Sequence, residues 1–420
     1  MRLRPRALAA LALCFATAAL AQRTVSVPAD YRLGAFALPD PGGRPIGTTT
    51  FDAGAAERPL YVTAWYPARS TAGTPAPYLS PDEQRVQAAA LDRNFLWPSS
   101  MLDAVVKLPT HALRDVPIAR GRFPVVIYSH GFFLYPRQNT ALMEALAARG
   151  YLVFSLAHPG DAADLPGPRG PIRTAPVVAT KPDEAPLKAF WAARDHAARA
   201  AAFPRFWQAF ATQRMRDSLV RWRTDIIALA DHMTSRSGPP ALAALLRSAD
   251  PRRLAFAGMS FGGSTSASAC QVDRRCRAAV DLDGLEFDRT LYDARFRTPL
   301  LLIQSDWRRY PNLGPADPDF TFYDYAYERW SDAGSTPDIY RFRIAGIRHI
   351  GFTDLALAPR DAVRDGIFGV GEGAAVVDAT DDLVIAFLDR YVAGRRGDVD
   401  ATAARHPGVE RHFARPHPRP

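Results

Sequence analysis

The segment that most constrains this chain is a glycine-rich hexapeptide at 258–263, with the sequence GMSFGG. It directly follows a short apolar run at 254–257, of the kind that forms a buried parallel strand. In the Gly-x-Ser-x-Gly pattern the serine occupies a strained strand-to-helix turn, and its hydroxyl is held clear of the sheet. The glycines are required because neighbouring backbone approaches too closely for a Cβ. The pattern makes Ser260 a candidate nucleophile, the alternative being an ordinary glycine-rich turn.

Strands and helices alternate along much of the chain. Because such alternation implies parallel pairing, we predict an α/β chain with the α/β-hydrolase fold, built on a mostly parallel, doubly wound sheet. The predicted strands are at 60–66, 125–129, 151–156, 253–258, 277–282, 299–304 and 338–344. The main predicted helices are at 139–149, ended by Gly150, at 216–233, at 323–330, and at 380–392 with Asp378 as N-cap.

The alternation breaks between 159 and 214, which we predict to be a helical, lid-like insertion. Its first part, 164–186, is rich in Pro and Gly, and its second part, 187–210, is rich in Ala and aromatic residues. In the second part, four aromatic residues share one apolar helix face: Phe203, Phe206, Trp207 and Phe210. They either pack as the core of the insertion or form a lid or acyl-pocket wall that contacts lipid surfaces.

The N-terminus predicts export. Three arginines precede an apolar run at 7–18, and Ala-Leu-Ala at 19–21 fits the small-x-small cleavage rule. We therefore expect 1–21 to be a cleaved signal peptide and the protein to be periplasmic or secreted. The hydrolase domain is predicted to cover 22–394, and the Arg-, His- and Pro-rich segment 395–420 is predicted to be a disordered tail.

Cysteine use agrees with an oxidising compartment, since only Cys270 and Cys276 remain after the signal peptide. One helix through both would separate their Cα atoms by roughly 9 Å, which is too far for a bridge. A disulfide therefore requires the helix after Ser260 to end near Cys270, and two unpaired thiols are the alternative. The formal net charge of +9 is spread without a basic stripe, so nucleic acid is not an expected partner.

The base is expected after the nucleophile and the acid, which is their order in the α/β-hydrolase fold. His349 follows the predicted strand at 338–344 after a short glycine-containing turn, where the last strand would deliver a base. His406, His412 and His417 fall in the predicted tail, where nothing would hold a base within ~2.6–3.2 Å of its target. His349 is therefore the candidate base, and a purely structural histidine is the alternative.

Three aspartates compete for the role of the acid. Asp281 and Asp283 lie at the end of one predicted strand and face the same side of it, while Asp306 ends the next strand. The acid must accept the second N–H of the histidine and stabilise the imidazolium. General hydrolase geometry favours Asp306, and the residues alone leave the choice open.

Two backbone N–H groups are candidates for an oxyanion hole. Phe261 follows the nucleophile and supplies one of them. The second is expected from Phe132 in the loop after strand 125–129, where Gly131 allows the backbone to turn. His130 in the same loop is expected to be structural.

Taken together, these segments resemble the plasma-type platelet-activating-factor acetylhydrolase family, the lipoprotein-associated phospholipases A2. The resemblance covers about 61–352 in patches. Its motifs are SHGF at 129–132, AHPGD at 157–161, GMSFGG at 258–263, LDG at 282–284, PLLLIQSD at 299–306 and HIGFTD at 349–354. The first four segments match the family patterns Ser-His-Gly-Leu, His-Arg-Asp, Gly-His-Ser-Phe-Gly-Gly and Leu-Asp-Ala, in that order. The last segment matches the pattern His-x-x-Phe-x-Asp.

The resemblance implies that Asp283 is the acid and that Asp306 is not. It also implies ester hydrolysis through an acyl-serine, without calcium, another metal or any cofactor. Phe133, Met259 and Phe352 are then expected beside the substrate pocket, and the first two depart from the family pattern.

We therefore expect an exported serine carboxylic ester hydrolase that acts on short-acyl or lipid-like esters and contacts lipid surfaces. One alternative is another serine acyl transfer, by a peptidase, an acyltransferase or a polyester hydrolase. The other is a catalytically silent hydrolase fold that only binds, against which the ordered Ser, Asp and His argue.

Overall fold

The computed structural model describes residues 26–54, 58–167, 170–176, 183–193, 196–210, 213–284, 296–306 and 338–411, together with Asp288 and Arg309. The predicted signal peptide, the predicted helix at 323–330 and the last nine residues of the predicted tail lie outside the described residues.

The strands in this part of the chain join into one eleven-stranded sheet. They are β1 (Ile46–Asp52), β2 (Tyr61–Pro67), β3 (Pro75–Pro77), β4 (Pro109–Arg114), β5 (Phe123–Ser129), β6 (Leu152–Leu156), β7 (Ala249–Met259), β8 (Cys276–Leu282), β9 (Leu300–Gln304), β10 (Ile339–Ile344) and β11 (Val409–Arg411). Their order in space is β11-β10-β9-β8-β7-β5-β6-β2-β1-β4-β3. Strands β5 to β10 pair in parallel, whereas β2 and β11 join their neighbours antiparallel. This confirms the predicted α/β class and its parallel core.

The helices flank this sheet on both faces. They are α1 (Pro81–Phe95), α2 (Thr140–Arg149), α3 (Glu184–Ala192), α4 (His196–Phe210), α5 (Gln213–Ser235), α6 (Pro240–Ser248), α7 (Phe261–Val272), α8 (Ala362–Phe368), α9 (Gly373–Leu388) and α10 (Val399–Ala403). As predicted, α2 ends at Gly150, which takes a left-handed φ of +100°. Helix α9 begins earlier than predicted, so Asp378 lies inside it and Glu372 precedes its first residue.

Alternating side chains of the central strands pack into two separate hydrophobic clusters, one on each face of the sheet. In β5, Val125 and Ile127 pack in a cluster with apolar side chains of α5, α6 and α7. The intervening Val126 and Tyr128 pack in a second cluster with α2 and α9. Because successive strand residues point to opposite faces, a strand buried on both sides must be apolar throughout, as β5 is.

The prediction of disorder beyond Gly394 is wrong as far as Arg411. Asp398 caps α10 by accepting the N–H of Ala401, and β11 then pairs antiparallel with β10 at the edge of the sheet. The Arg395 side chain also forms an ion pair with a buried carboxylate of the preceding helix. Composition suggested a tail, but a cap and three residues of strand pairing are sufficient to dock the segment.

The predicted insertion contains α3, α4 and an isolated antiparallel β-bridge between Leu165 and Ile172. Phe203 and Phe206 are almost fully buried, and the ring of Phe206 stacks on that of Phe190 at 4.4 Å. These contacts favour core packing of the insertion for the first two members of the apolar face. The side chain of Phe210 lies outside the described residues.

The predicted disulfide joins Cys270 and Cys276, whose Cα atoms lie 5.2 Å apart. Helix α7 ends two residues after Cys270 and β8 begins at Cys276, so the intervening turn closes the distance. Over the described ranges, none of the helices combines the length and the apolarity needed to cross a bilayer.

Candidate active site

Ser260 is the single residue between β7 and α7, and its backbone is strained. Its φ of +58° and ψ of −126° lie outside the regions that residues with a Cβ favour. A Cβ on Gly258 would lie 2.4 Å from the backbone of Gly262, and one on Gly262 would lie 2.2 Å from the carbonyl oxygen of Ser129. Both positions therefore require glycine. The N–H of Ser260 donates to the carbonyl of Leu282 at 2.7 Å, which ties the turn to β8.

This turn lies where the strand order of the sheet reverses. After β5 the chain places β6 on one side of it and β7 on the other. In open α/β sheets, ligands bind at such a switch point, in the crevice outside the carboxyl ends of the strands. The loops after β5, β7 and β8 therefore meet at the edge where a ligand site is expected.

His349 connects Ser260 with Asp283. It begins a short 3₁₀ turn, His349–Phe352, that follows β10. Its Nε2 lies 2.7 Å from Ser260 Oγ, and its Nδ1 lies 2.6 Å from Asp283 Oδ2. With Nδ1–H donated to the carboxylate, Nε2 carries a lone pair that can accept the serine proton. The three predicted residues thus form one continuous hydrogen-bonded chain.

Asp283 is the first residue after β8 and is fully buried. Its second carboxylate oxygen accepts the N–H of Ser305 at 2.7 Å, and its own N–H donates to the carbonyl of Ile303 at 2.8 Å. Its φ is +59°, so the backbone turns sharply here. These contacts aim the carboxylate at the histidine.

Asp306, the alternative acid, is placed in a different role. Its carboxylate accepts the N–H of Gly346 at 2.8 Å, and its own N–H donates to the carbonyl of Ile347 at 2.9 Å. It also accepts the N–H of Arg309 at 3.3 Å. Asp306 therefore holds the loop that leads to His349, and the choice of Asp283 as the acid stays a prediction.

Asp281, the third candidate, lies beneath the serine turn. It is fully buried, and one of its oxygens accepts the N–H of Gly284 at 2.7 Å. Burial, opposed by that hydrogen bond, holds the pKa of this carboxyl well above its usual range. Asp281 thus packs against the turn, and its carboxylate is not the one that lies at the ring of His349.

The loop after β5 presents a free backbone donor at Phe132. Within the described part of the chain, the N–H of Phe132 has no hydrogen-bond partner. On either side of it, the N–H of Gly131 donates to Gln138 Oε1 at 3.0 Å and that of Phe133 donates to the carbonyl of Asp161 at 2.8 Å. The loop is therefore anchored around one unoccupied N–H, the arrangement that an oxyanion hole requires.

Phe261, the second predicted donor, is the first residue of α7. The rings of Phe132 and Phe261 lie 4.9 Å apart and meet edge to face, which brings the two loops together above β5 and β7. The N-terminus of a helix favours negative charge, because its first N–H groups point along the axis and the helix dipole adds to them.

The three predicted pocket residues are all buried. Met259 lies next to the loop after β5, with its sulfur 3.0 Å from the position that a Cβ on Gly131 would take. The ring of Phe133 meets that of Phe95 edge to face at 6.5 Å. Phe352 packs in the main core. Their contact with a substrate stays a prediction.

Asp354, at the end of the histidine segment, ties that segment to the rest of the site. Its carboxylate accepts the N–H groups of Thr140 and Ala141 at the start of α2, and also the hydroxyl of Tyr78. Its backbone N–H donates to the carbonyl of Gln138 at 2.9 Å. Burial raises the pKa of Asp354 to about 8, although these hydrogen bonds oppose the shift.

Sequence reasoning missed a second Ser–His–Asp chain, which lies beneath the loop after β5. Ser129 Oγ lies 3.1 Å from His158 Nε2, and His158 Nδ1 lies 2.9 Å from Asp225 Oδ2. Arg58 binds the same carboxylate, and the ring of Trp222 stacks on His158 at 3.8 Å. His158 lies in the AHPGD segment, but its partners are far from it along the chain. The only sequence signal that could have indicated them is the spacing of residues in α5, which contains Asp225.

The two histidines beneath the loop have pKa values below the usual range. Burial and the neighbouring His158 lower the pKa of His130 to about 3, and burial likewise lowers the pKa of His158. Burial would raise the pKa of Asp225, but hydrogen bonds from His158 and Arg58 outweigh it and lower that pKa. The buried carboxylate of Asp225 is therefore paired with Arg58.

Comparison with known proteins supports the fold. Neither the scan against family models nor the search of curated proteins finds a match to this chain. Among solved structures, a ferulic acid esterase from Streptomyces cinnamoneus is similar, with a TM-score of 0.63 and 24% sequence identity. The match covers 91% of this chain and 99% of that one. With its parallel core and its serine turn at the switch point, the chain has the α/β-hydrolase fold. The narrower acetylhydrolase resemblance stays a prediction.

Proposed function

We propose that the protein is a serine carboxylic ester hydrolase. The observation that carries the proposal is the hydrogen-bonded chain from Ser260 through His349 to Asp283, next to the unpartnered N–H of Phe132. A serine hydroxyl becomes an effective nucleophile only when a base takes its proton, and an adjacent oxyanion hole stabilises the charge that then develops.

In the proposed first half-reaction, Ser260 Oγ attacks the ester carbonyl while His349 Nε2 takes its proton. The carbonyl oxygen becomes an oxyanion, which accepts hydrogen bonds from the N–H groups of Phe132 and Phe261. The bond to the alcohol then breaks, and His349 returns the proton to the leaving oxygen. Asp283 stays ionised and stabilises the imidazolium.

In the second half-reaction, water replaces the alcohol. His349 takes a proton from the water, whose oxygen attacks the acyl-serine, and the same two N–H groups hold the second oxyanion. Collapse of this intermediate releases the carboxylic acid and returns the proton to Ser260. No cofactor enters this scheme.

The test is hydrolysis of p-nitrophenyl esters from acetate to decanoate by the mature chain, 22–420, beside its Ser260→Ala variant. Turnover should be present in the parent and nearly absent in the variant, because members of a triad act as a unit. A folded parent that hydrolyses none of the esters and does not react with a fluorophosphonate probe would contradict the proposal and favour a silent binding fold.

We further propose short-acyl or lipid-like esters as the substrates, as in the acetylhydrolases that the chain resembles. Because the similar solved structure is a ferulic acid esterase, methyl ferulate belongs in the same panel. Rates that fall steeply beyond butyrate would support a small acyl pocket, whereas a preference for ferulate would replace this proposal with an aromatic acyl group. Cleavage of amides would favour a peptidase.

Export is proposed from the N-terminal segment alone. Expression of the full chain in a Gram-negative host should yield a periplasmic or secreted protein whose N-terminal sequence begins at Gln22. A cytoplasmic product that retains its first 21 residues would contradict the proposed signal peptide.

A further inference from the structure

We propose that His130 and His158 are positioning residues that orient the Gly131–Phe132 peptide so that its N–H points into the oxyanion hole. The inference rests on the proposed ester hydrolysis, but it concerns a part of the molecule that touches no substrate.

The geometry of a single peptide unit carries the first step. The carbonyl of Gly131 and the N–H of Phe132 belong to the same planar trans peptide, so they point in opposite directions. That carbonyl lies 2.7 Å from His130 Nδ1 and also accepts the N–H of Leu134 at 3.0 Å. Holding the oxygen on one side therefore directs the N–H of Phe132 to the other.

The tautomer of His130 follows from its second nitrogen. The backbone N–H of His158 donates to His130 Nε2 at 3.2 Å, so Nε2 must carry a lone pair. The ring proton is then on Nδ1, from which it is donated to the carbonyl of Gly131. A proton on Nε2 would face another N–H and would break this arrangement.

His158 is itself held from both sides. Arg58 binds Asp225 through two nitrogens, which keeps this carboxylate an acceptor for His158 Nδ1–H. His158 Nε2 is then a lone pair that accepts the hydroxyl of Ser129, the last residue of β5. Ser129 and His130, at the start of the loop, thereby contact the side chain and the backbone N–H of the same residue, His158.

Trp222 packs against His158 and against both predicted oxyanion donors, Phe132 and Phe261. Its ring lies parallel to that of His158, at 3.8 Å with an interplanar angle of 8°. It also meets the ring of Phe261 edge to face at 4.9 Å and stacks on that of Phe132 at 5.8 Å. Its indole N–H donates to Asp161, whose carbonyl accepts the N–H that follows Phe132.

Burial excludes a second catalytic centre. Ser129 and His158 have no exposed surface and Asp225 is 2% exposed, so no ester can reach this serine. A hydrogen-bonded network that is this completely satisfied rigidifies what it touches, and here it touches the oxyanion loop.

The test compares His130→Phe with His130→Asn. The Phe variant keeps a ring beside Trp222 but loses the donor to the carbonyl of Gly131, whereas the Asn amide keeps a donor near the position of Nδ1. We expect kcat to fall about 10- to 100-fold in His130→Phe with KM within about threefold, because an oxyanion donor acts in the transition state. The inhibition constant of a trifluoromethyl ketone, which forms an oxyanion on Ser260, should rise by a similar factor. His130→Asn should recover most of both losses.

Tyr151→Phe is the matched control, since it also removes a buried hydrogen bond, to Asp389, at the far side of the core. It should lower stability without changing kcat or ketone affinity. A folded His130→Phe variant with unchanged kcat and ketone affinity would overturn the inference, as would a loss of kcat without weaker ketone binding.

Two readouts decide the inference even if the parent hydrolyses no ester. Nitrogen-15 NMR of the imidazoles at pH 7 should show His130 neutral and protonated at Nδ1, and a ring protonated at Nε2 would refute the proposal. A crystal structure of His130→Phe should show the Gly131–Phe132 peptide rotated, and an unchanged peptide would also refute it. Absence of turnover would contradict the proposed function alone.

Discussion

At the scale of single residues, backbone strain concentrates at the candidate site. Among the described residues, six non-glycine residues have a positive φ, and three of them are Ser260, Asp283 and Phe133. Such conformations cost of order 1–3 kcal/mol each and persist only where the surrounding structure imposes them. Here two of them place the hydroxyl of Ser260 and the carboxylate of Asp283 at the two ring nitrogens of His349, which supports a site that is organised before substrate binds.

The choice of acid is tested by Asp283→Asn. The amide can occupy the same space, but it can donate to His349 and stabilise the tautomer in which Nε2 carries the proton. We therefore expect kcat on p-nitrophenyl acetate to fall by roughly 10⁴ with little change in KM. Steady-state kinetics at pH 7.5 on variants matched for folding by circular dichroism would measure this.

Asp306→Asn is the control for that measurement. Because Asp306 holds the loop before His349 and not its ring, its loss should cost less than about tenfold in kcat. If Asp306→Asn abolished turnover while Asp283→Asn stayed active, the assignment would be reversed.

At the scale of elements, the site depends on how closely α7 approaches β5. Gly262→Ala would place a Cβ 2.2 Å from the carbonyl of Ser129, so the helix would have to shift by more than the turn allows. We expect a loss of several kcal/mol, more than about 4, or failure to fold. Gly408→Ala, where a Cβ would meet nothing within 4 Å, should be nearly neutral. Equal melting temperatures for the two variants would show that the turn is more tolerant than its contacts indicate.

The C-terminal segment is a second prediction at this scale. Truncation after Gly394 would remove β11 from the edge of β10 and the Arg395 side chain from Asp389, a carboxylate that is 2% exposed. Leaving a buried charge with fewer partners and an unpaired sheet edge should lower Tm by several degrees and promote aggregation. Truncation after Arg411, which keeps these contacts, is the comparison. Equal Tm values would mean that β11 adds no stability.

At the scale of the whole molecule, the buried histidines predict a dependence of stability on pH. The pKa of His130 is about 3 in the folded chain, against about 6.5 when unfolded, and that of His158 is also lowered. Below pH 6.5 the unfolded chain therefore binds protons that the folded chain does not. The free energy of unfolding should fall as pH drops from 6.5 to 5, by about 1.4 kcal/mol per pH unit for His130, with a further decrease in the same direction from His158.

Urea unfolding at pH 7, 6 and 5 would measure this slope. In His130→Asn the slope should decrease by the contribution of one proton, because one depressed histidine is gone. A variant slope equal to that of the parent would show that His130 does not titrate in the way its burial requires.

The local sequence determined those features that depend on neighbouring residues. The glycines around Ser260 predicted a strand, a tight turn and a helix, and the six-residue spacing of Cys270 and Cys276 required the helix to end where it does. Alternation of apolar segments predicted the parallel core, since a strand buried on both faces must be apolar throughout.

Only the tertiary structure decided which distant groups meet. Asp283 and Asp306 follow the adjacent strands β8 and β9, but Asp283 lies at the ring of His349 and Asp306 binds the backbone of the loop that leads to it. The partners Ser129, His158 and Asp225 come from three separate elements, and docking of 395–411 depends on one exposed sheet edge. Such contacts are set by the order and packing of whole strands and helices, which no short stretch of sequence encodes by itself.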